Sequence, residues 1–311
     1  MHMRKLRLMQ AQPATEQYAW QTEVNLETSL RLGYNGNYID VVAAYDGAIP
    51  ESWLKLQQKY PYVRFFFYKN TMEVRNYQPA IQAHVLAKHF EAHPELKDDA
   101  IFFHDCDFIF TKYFDFSKFL YDDTWYFSDT VSYVGADYIE SKGKGLLEGM
   151  CSVVGLCACK VRAEKANSGG AQKLMKNVDA AYWREVEEDS VNLYNWLLQE
   201  KDKYGDKERN DIQIWTASMW SELWNAWKCK HTVRIPEEFN FTWATDHIAK
   251  WDTNSFFHNA GVMDSHNGMF FKGAYVDKHP YGDSLSLDDQ RCSKKYYDIV
   301  QEVGMNSVLI S

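Results

Sequence analysis

Residues Ile101 to Thr111 read IFFHDCDFIFT, an apolar run broken once by Asp105-Cys106-Asp107 that resumes beyond the break. Carboxylates inside a buried strand cost free energy unless a positive group meets them. Asp105 and Asp107 face the same side of an extended strand, and in a turn they can converge on one point. Hard oxygen donors so arranged suit Mg²⁺ or Mn²⁺, which keep open positions for phosphates. The alternative is a pair of loop aspartates capping backbone groups. The flanks IFF and FIF favour the metal site, because a solvated loop has no use for them. His104 and Cys106 read as packing.

Upstream of this stretch the pattern alternates. Strands are expected over Lys5 to Gln12, Tyr38 to Ala44 and Val63 to Tyr68. Helices are expected over Glu16 to Leu32, from Pro50 through Lys59, and from Pro79 onward. In the last of these, Ile81, Val85, Leu86, His89 and Phe90 share one face at helical spacing, and proline suits the first turn. This βαβαβαβ series ending in the strand 101–111 calls for an α/β fold, a mostly parallel sheet covered by helices on both sides. Ligands of such sheets bind beyond the carboxyl ends of the strands, where Asp46 and Asp105 sit.

Downstream the reading is coarser. A strand is expected at Ser152 to Cys159. Asn167-Ser168-Gly169-Gly170 reads as a turn into a helix from Ala171, running through Gln199. Glu200 to Asn210 reads as a charged surface loop. Asp211 heads a helix carrying Trp215, Met219, Trp220, Leu223, Trp224 and Trp227. Loops and short strands follow Pro236. With no internal repeat or linker, 1–311 reads as one domain, with a nucleotide-binding half (1–111) and an acceptor-side half (112–311).

Composition bounds the function. A net charge of −9 disfavours a broad nucleic-acid footprint, though not a local basic strip. No run is long enough for a membrane span, and the N-terminus shows no signal-peptide hydrophobic region. The six cysteines include no CxxC pair, and Cys157 and Cys159 stand too close for an ordinary bridge. A reduced, cytoplasmic protein without disulfides is the expectation. Aromatics reach 16%, with 11 Trp, 20 Tyr and 18 Phe. Most belong to the core, and some can serve as flat platforms for sugars or bases.

Two later segments bear on the acidic pair. In Phe256-Phe257-His258-Asn259-Ala260-Gly261, His258 reads either as a structural histidine or as a third metal ligand, with Gly261 letting backbone approach phosphate. Lys272, beside Gly273, reads either as a phosphate counter-charge or as a solvated surface lysine.

A βαβ series ending in a hydrophobic strand with Asp-x-Asp, then a C-terminal His-x-x-Gly, resembles the GT-A fold of nucleotide-sugar glycosyltransferases. The downstream order resembles the retaining family of glycogenin and the lipopolysaccharide glucosyl- and galactosyltransferases. That family runs Asn-x-Gly, Asp-Gln, Leu-Pro-x-x-Tyr-Asn and His-x-x-Gly-x-x-Lys. This chain has Asn167-Ser168-Gly169, Asp211-Ile212-Gln213, Ile235-Pro236-Glu237-Glu238-Phe239-Asn240 and His258-Asn259-Ala260-Gly261. It departs by splitting Asp211 from Gln213 and by carrying Asp264 three residues after Gly261, which leaves Lys272 as a stand-in. The string SGGAQKLMKNVDAAYW is similar to glycosyltransferase-like proteins of bacteriophages, which would place the chain in the host cytoplasm.

The resemblance implies transfer of a sugar from a nucleoside diphosphate, a UDP-sugar foremost, to an acceptor hydroxyl with retention. It implies Mn²⁺ or Mg²⁺ on Asp105, Asp107 and His258. Asp107 is the firmer ligand, and Asp105 shares its oxygens between metal and ribose. Gln10, Gln12, Pro13 and Asp46 become candidates for base and ribose. Arg75, Asn76, Gln78, Gly261 and Lys272 become candidates for phosphate or sugar. Gly169, Gly170 and Gln172 border the sugar, and Trp215 stacks on it. Asp211, with Gln213, orients the donor or acts as base, unless Asp211 only caps its helix. The acceptor is a saccharide, a lipopolysaccharide or modified DNA. A phage enzyme acting on hydroxymethylated pyrimidines and a non-catalytic sugar-binding protein are the rival readings.

Overall fold

The first hundred residues alternate strands and helices, and the strands Leu6–Pro13, Ile39–Tyr45 and Ala100–Phe103 are buried along nearly their whole length. The computed structural model describes residues 4–204 and 212–310. The chain opens with β1 (Leu6–Pro13), α1 (Glu16–Arg31), β2 (Ile39–Tyr45), α2 (Glu51–Lys59), β3 (Arg64–Lys69), α3 (Ala80–Ala92) and β4 (Ala100–Phe103). Pro79 precedes the first residue of α3 with φ −60°, where its missing N–H costs nothing. Ile81, Val85, Leu86, His89 and Phe90 are all buried, as their shared face requires.

The strand expected over 101–111 is two strands. β4 ends at Phe103, and after the turn His104–Asp107 a separate β5 (Phe108–Phe110) joins a different sheet. The chain continues with β6 (Trp125–Asp129), α4 (Val131–Val134), α5 (Ala136–Lys142), α6 (Leu146–Val154), α7 (Ala158–Ala163) and β7 (Gly169–Lys176). It closes with α8 (Ala180–Glu200), α9 (Ala217–Lys228), β8 (Val233–Arg234), β9 (Phe241–Trp243), β10 (Phe256–His258) and α10 (Cys292–Gly304). Seven strands make the mostly parallel central sheet in the order β3-β2-β1-β4-β7-β6-β8, and β5-β10-β9 form a small second sheet. β1, β2 and β3 run parallel, whereas β7 is antiparallel to both β4 and β6.

The chain divides into two compact units. One comprises Met1–Leu6, Asn70–Phe103 and Ser117–Pro236; the other comprises Arg7–Lys69, His104–Phe116 and Glu237–Ser311. Each draws on both sides of residue 111. The second has an aromatic core in which Trp20, Ile109, Phe257, Phe270, Tyr281, Tyr296 and Val300 pack together. α10 supplies Tyr296, Tyr297, Val300 and Val303 to that core, so the region beyond Pro236 is more than loops and short strands.

Three further expectations fail in the first unit. Ser152 to Cys159 is helical, split between α6 and α7 by Gly155 at φ 71°, a left-handed conformation suited to ending a helix. Cys157 and Cys159 are joined in a disulfide: the turn that caps α7 brings their Cα atoms to 5.2 Å, within bridging range. Gly169 begins strand β7, and the helix starts only at Ala180, where the Asp179 side chain accepts from the Tyr182 N–H at 3.0 Å. The strand is bulged, with its pairing shifted between Phe127 and Ser128 and Ala171 at φ 54°. Its glycines serve close packing, since a Cβ on Gly169 would fall 2.5 Å from the Cβ of Phe127.

Candidate functional site

The small sheet builds a cluster from residues far apart in sequence. β10 pairs antiparallel with β5, placing His258 opposite Phe108, and Asn259 N–H donates to Asp107 O at 3.0 Å. That register carries the His258 ring to the aspartates. Its Nε2 lies 3.2 Å from Asp107 Oδ1 and 3.5 Å from Asp105 Oδ2. Among the described residues, Asp105, Asp107 and His258 each offer one ligand atom, all within 4.8 Å of one another. Lys272 Nζ forms an ion pair with Asp107 Oδ2, which excludes a purely solvated lysine. All four side chains belong to the second unit.

Electrostatics follow from burial. Asp107 is sealed, whereas the Asp105 side chain is 36% exposed. Burial alone would raise the carboxyl pKa of Asp107, but Lys272 and His258 outweigh it and hold the group well below the usual range. Burial alone would lower the pKa values of His258 and Lys272, and the Asp107 charge reverses both shifts. Behind them His104 is pushed down to about 4 by burial, and its Nδ1 contacts the Asp105 carbonyl at 2.9 Å. It is a packing group, as expected, and so is buried Cys106.

One neighbour escaped the sequence reading. Tyr18, in the first turn of α1, has its hydroxyl pKa raised by burial, with Cys106, Asp107 and Asp105 adding to the effect. No spacing in the sequence links it to residues 105–107. Asn259 is also buried, and neither side-chain atom has a hydrogen-bond partner among the described residues.

The other candidates in the second unit divide. Gln10 and Gln12 are buried in a network with α1: Gln10 Nε2 donates to Asn25 Oδ1 at 3.0 Å and Gln12 Nε2 to Thr22 Oγ1 at 3.2 Å. Asn25 in turn donates to Phe108 O at 2.7 Å, so this ladder supports β5 from beneath. Gln12 Oε1 has no hydrogen-bond partner among the described residues. Pro13 ends β1 half-buried, and Asp46 follows β2 exposed. Gly261 has φ 87°, a conformation that favours glycine.

The remaining candidates lie in the first unit. Arg75 donates to Met72 O and Asn70 O, both at 3.1 Å, bracing its own turn. Asn76 pairs with Asn195, and Gln78 is exposed. Gln172 is buried and accepts from Ser128 Oγ at 2.9 Å; Gly170 packs under Met219. Trp215 lies before α9 in a short 3-10 turn, 55% exposed, with its carbonyl accepting from Tyr77 Oη. Trp220, Trp224 and Trp227 are core. Gln213 is exposed just ahead of that turn, and Asp211 lies outside the described residues.

No protein-family model matches the chain, and no curated protein matches it. Among solved structures, the apo form of the WbbM bifunctional glycosyltransferase superposes with a TM-score of 0.51 at 9% identity, covering 98% of this chain and 50% of that one. The chain shares a fold with a known glycosyltransferase structure. It spans half the length of that protein, and at such identity the likeness speaks for fold alone. Mouse xyloside xylosyltransferase 1, also apo, matches over 83% of this chain and 100% of its own, at 11% identity and a TM-score of 0.43.

Proposed function

We propose that this chain is a metal-dependent glycosyltransferase moving a sugar from a nucleoside diphosphate, UDP foremost, to an acceptor hydroxyl with retention. One observation carries the reading: Asp105, Asp107 and His258 converge within 4.8 Å beside Lys272, in a fold shared with WbbM. The donor set fits a divalent cation. Two carboxylates and an imidazole suit Mn²⁺ in particular.

A bound cation supplies Lewis-acid neutralisation of the charge that develops on a leaving diphosphate. The chain's own residues do the rest. Lys272 offers a charge-assisted contact to the same anion, and Gly261 lets backbone come near it. Asn259 keeps a buried amide for a polar group of the ligand to satisfy.

The test is a donor screen. UDP release is measured across UDP-sugars with Mn²⁺ and with chelator. Metal-dependent release from at least one donor is expected. No release from any donor, with UDP affinity indifferent to Mn²⁺, would reduce the chain to a sugar-binding protein on this fold.

A further inference from the structure

Asp107 has both carboxylate oxygens engaged. Oδ1 faces His258 Nε2 at 3.2 Å, and Oδ2 is held by Lys272 Nζ. A cation that drew on Asp107 would need one of these oxygens, and Lys272 is the partner able to move. Its backbone is fixed: Phe270 and Tyr275, on either side, are buried in the aromatic core, and Gly273 packs against the Phe271 ring. Its side chain is one-third exposed, like that of Asp105, whose charge it feels. A four-carbon stem with a compact charge can swing without any change in the turn that carries it.

We propose that Lys272 is a latch on the metal position, occupying Asp107 until a diphosphate gives its ammonium another anion to hold. The inference rests on the metal-dependent nucleotide reading of the site. Its consequence is ordered occupancy. Lys272 opposes a divalent cation that arrives alone, because the cation would displace the ammonium from Asp107 and compete with it for Asp105 as well. Once a diphosphate is present, Lys272 leaves Asp107 for the phosphate oxygens and the opposition disappears. Metal and nucleotide thereby strengthen one another, and by linkage the strengthening is mutual.

The experiment is Mn²⁺ titration without nucleotide, by calorimetry and water-proton relaxation, on the wild type, Lys272→Gln and Lys278→Gln. Lys278 is an exposed lysine whose carboxylate neighbour is Asp283, so its variant reports bulk charge alone. Lys272→Gln is expected to bind Mn²⁺ about tenfold tighter than the wild type. It should also bind UDP about tenfold more weakly when Mn²⁺ is saturating. Lys278→Gln should leave both affinities unchanged. Equal Mn²⁺ affinity in Lys272→Gln and the wild type, or equal tightening by Lys278→Gln, overturns the latch and leaves the metal site standing. Equal Mn²⁺ affinity in the wild type and Asp107→Asn overturns the metal site itself. A measurement on the unaltered chain guards against misfolded variants. The ¹⁵N ammonium signal of Lys272, assigned by its loss in Lys272→Gln, should shift when Mg²⁺ and UDP are added together. A signal that stays put sinks the proposal.

Discussion

Lys173 and Lys272, one in each unit, both reach a buried carboxylate, and the pairs differ in kind. Lys173 on β7 meets Glu222 on α9 with both side chains only 6% exposed, and its ammonium also lies 4.8 Å from the centre of the Phe103 ring. Lys272 meets Asp107, but His258 and the half-open Asp105 crowd the same point. The first pair matches one charge with one charge in a sealed place. The second carries a surplus carboxylate and an open side. A buried lysine–carboxylate pair is therefore no sign of function by itself.

The comparison breaks first at Asp107. Asp107→Ala and His258→Ala should each abolish Mn²⁺-dependent UDP binding, exceeding the roughly 100-fold loss typical of a mere supporting partner. Calorimetry giving unchanged UDP affinity with Mn²⁺ would make the two pairs alike. Glu222→Ala should act the other way. It strands Lys173 and costs about 3–5 kcal/mol in urea unfolding, while the folded protein keeps its UDP affinity. Lost binding at unchanged stability would invert the contrast.

A smaller effect tests what surrounds the sealed pair. Gly169→Ala, at the start of the strand that bears Lys173, should cost ~1–3 kcal/mol by overpacking against Phe127. A Gly169→Ala protein of full stability that has lost acceptor binding would instead place Gly169 at the sugar.

The smallest concerns pH. Burial would raise the carboxyl pKa of Asp122, but hydrogen bonds from Lys176 Nζ at 2.6 Å and Tyr126 Oη at 2.5 Å hold it below its ordinary value. Such a group stabilises the fold above its unfolded pKa and loses that contribution as pH falls through its folded pKa. The stability gap between the wild type and Asp122→Asn should therefore narrow on acidification below the ordinary carboxylate range. It should be slight, since Asp122 is 45% exposed. A gap independent of pH would show that the Asp122–Lys176 contact contributes nothing.

How much could be read in advance follows the same physics. β1 through α3 were legible because short apolar runs bounded by Pro13 and Gly47 mark strands, and Pro79 marks a helix start. The break inside 101–111 was visible as a cost, but its resolution was not. FIF leaves the sheet to pair with residues 256–258, and nothing local encodes that partner. His258 was legible only through motif order, because its distance from Asp107 is set by strand pairing. β7 was missed because two glycines before a mixed stretch read as a turn, when close packing against Phe127 and Met219 was the reason for them. α10 was missed although Tyr296, Val300 and Val303 keep helical spacing, because tyrosine and cysteine carry weak preferences. The Cys157–Cys159 bridge depends on a helix-capping turn that spacing alone does not reveal.

β10 is three residues long, and its side chains alternate between a core face and the cluster. Parity alone thus decides which residue reaches the carboxylates. Losing one residue within Phe256–His258 would offer the aspartates a phenylalanine or Asn259 in place of imidazole, while nearly every hydrogen bond of the small sheet could re-form. Such a lesion would take the imidazole away from Asp105 and Asp107 while leaving the small sheet paired.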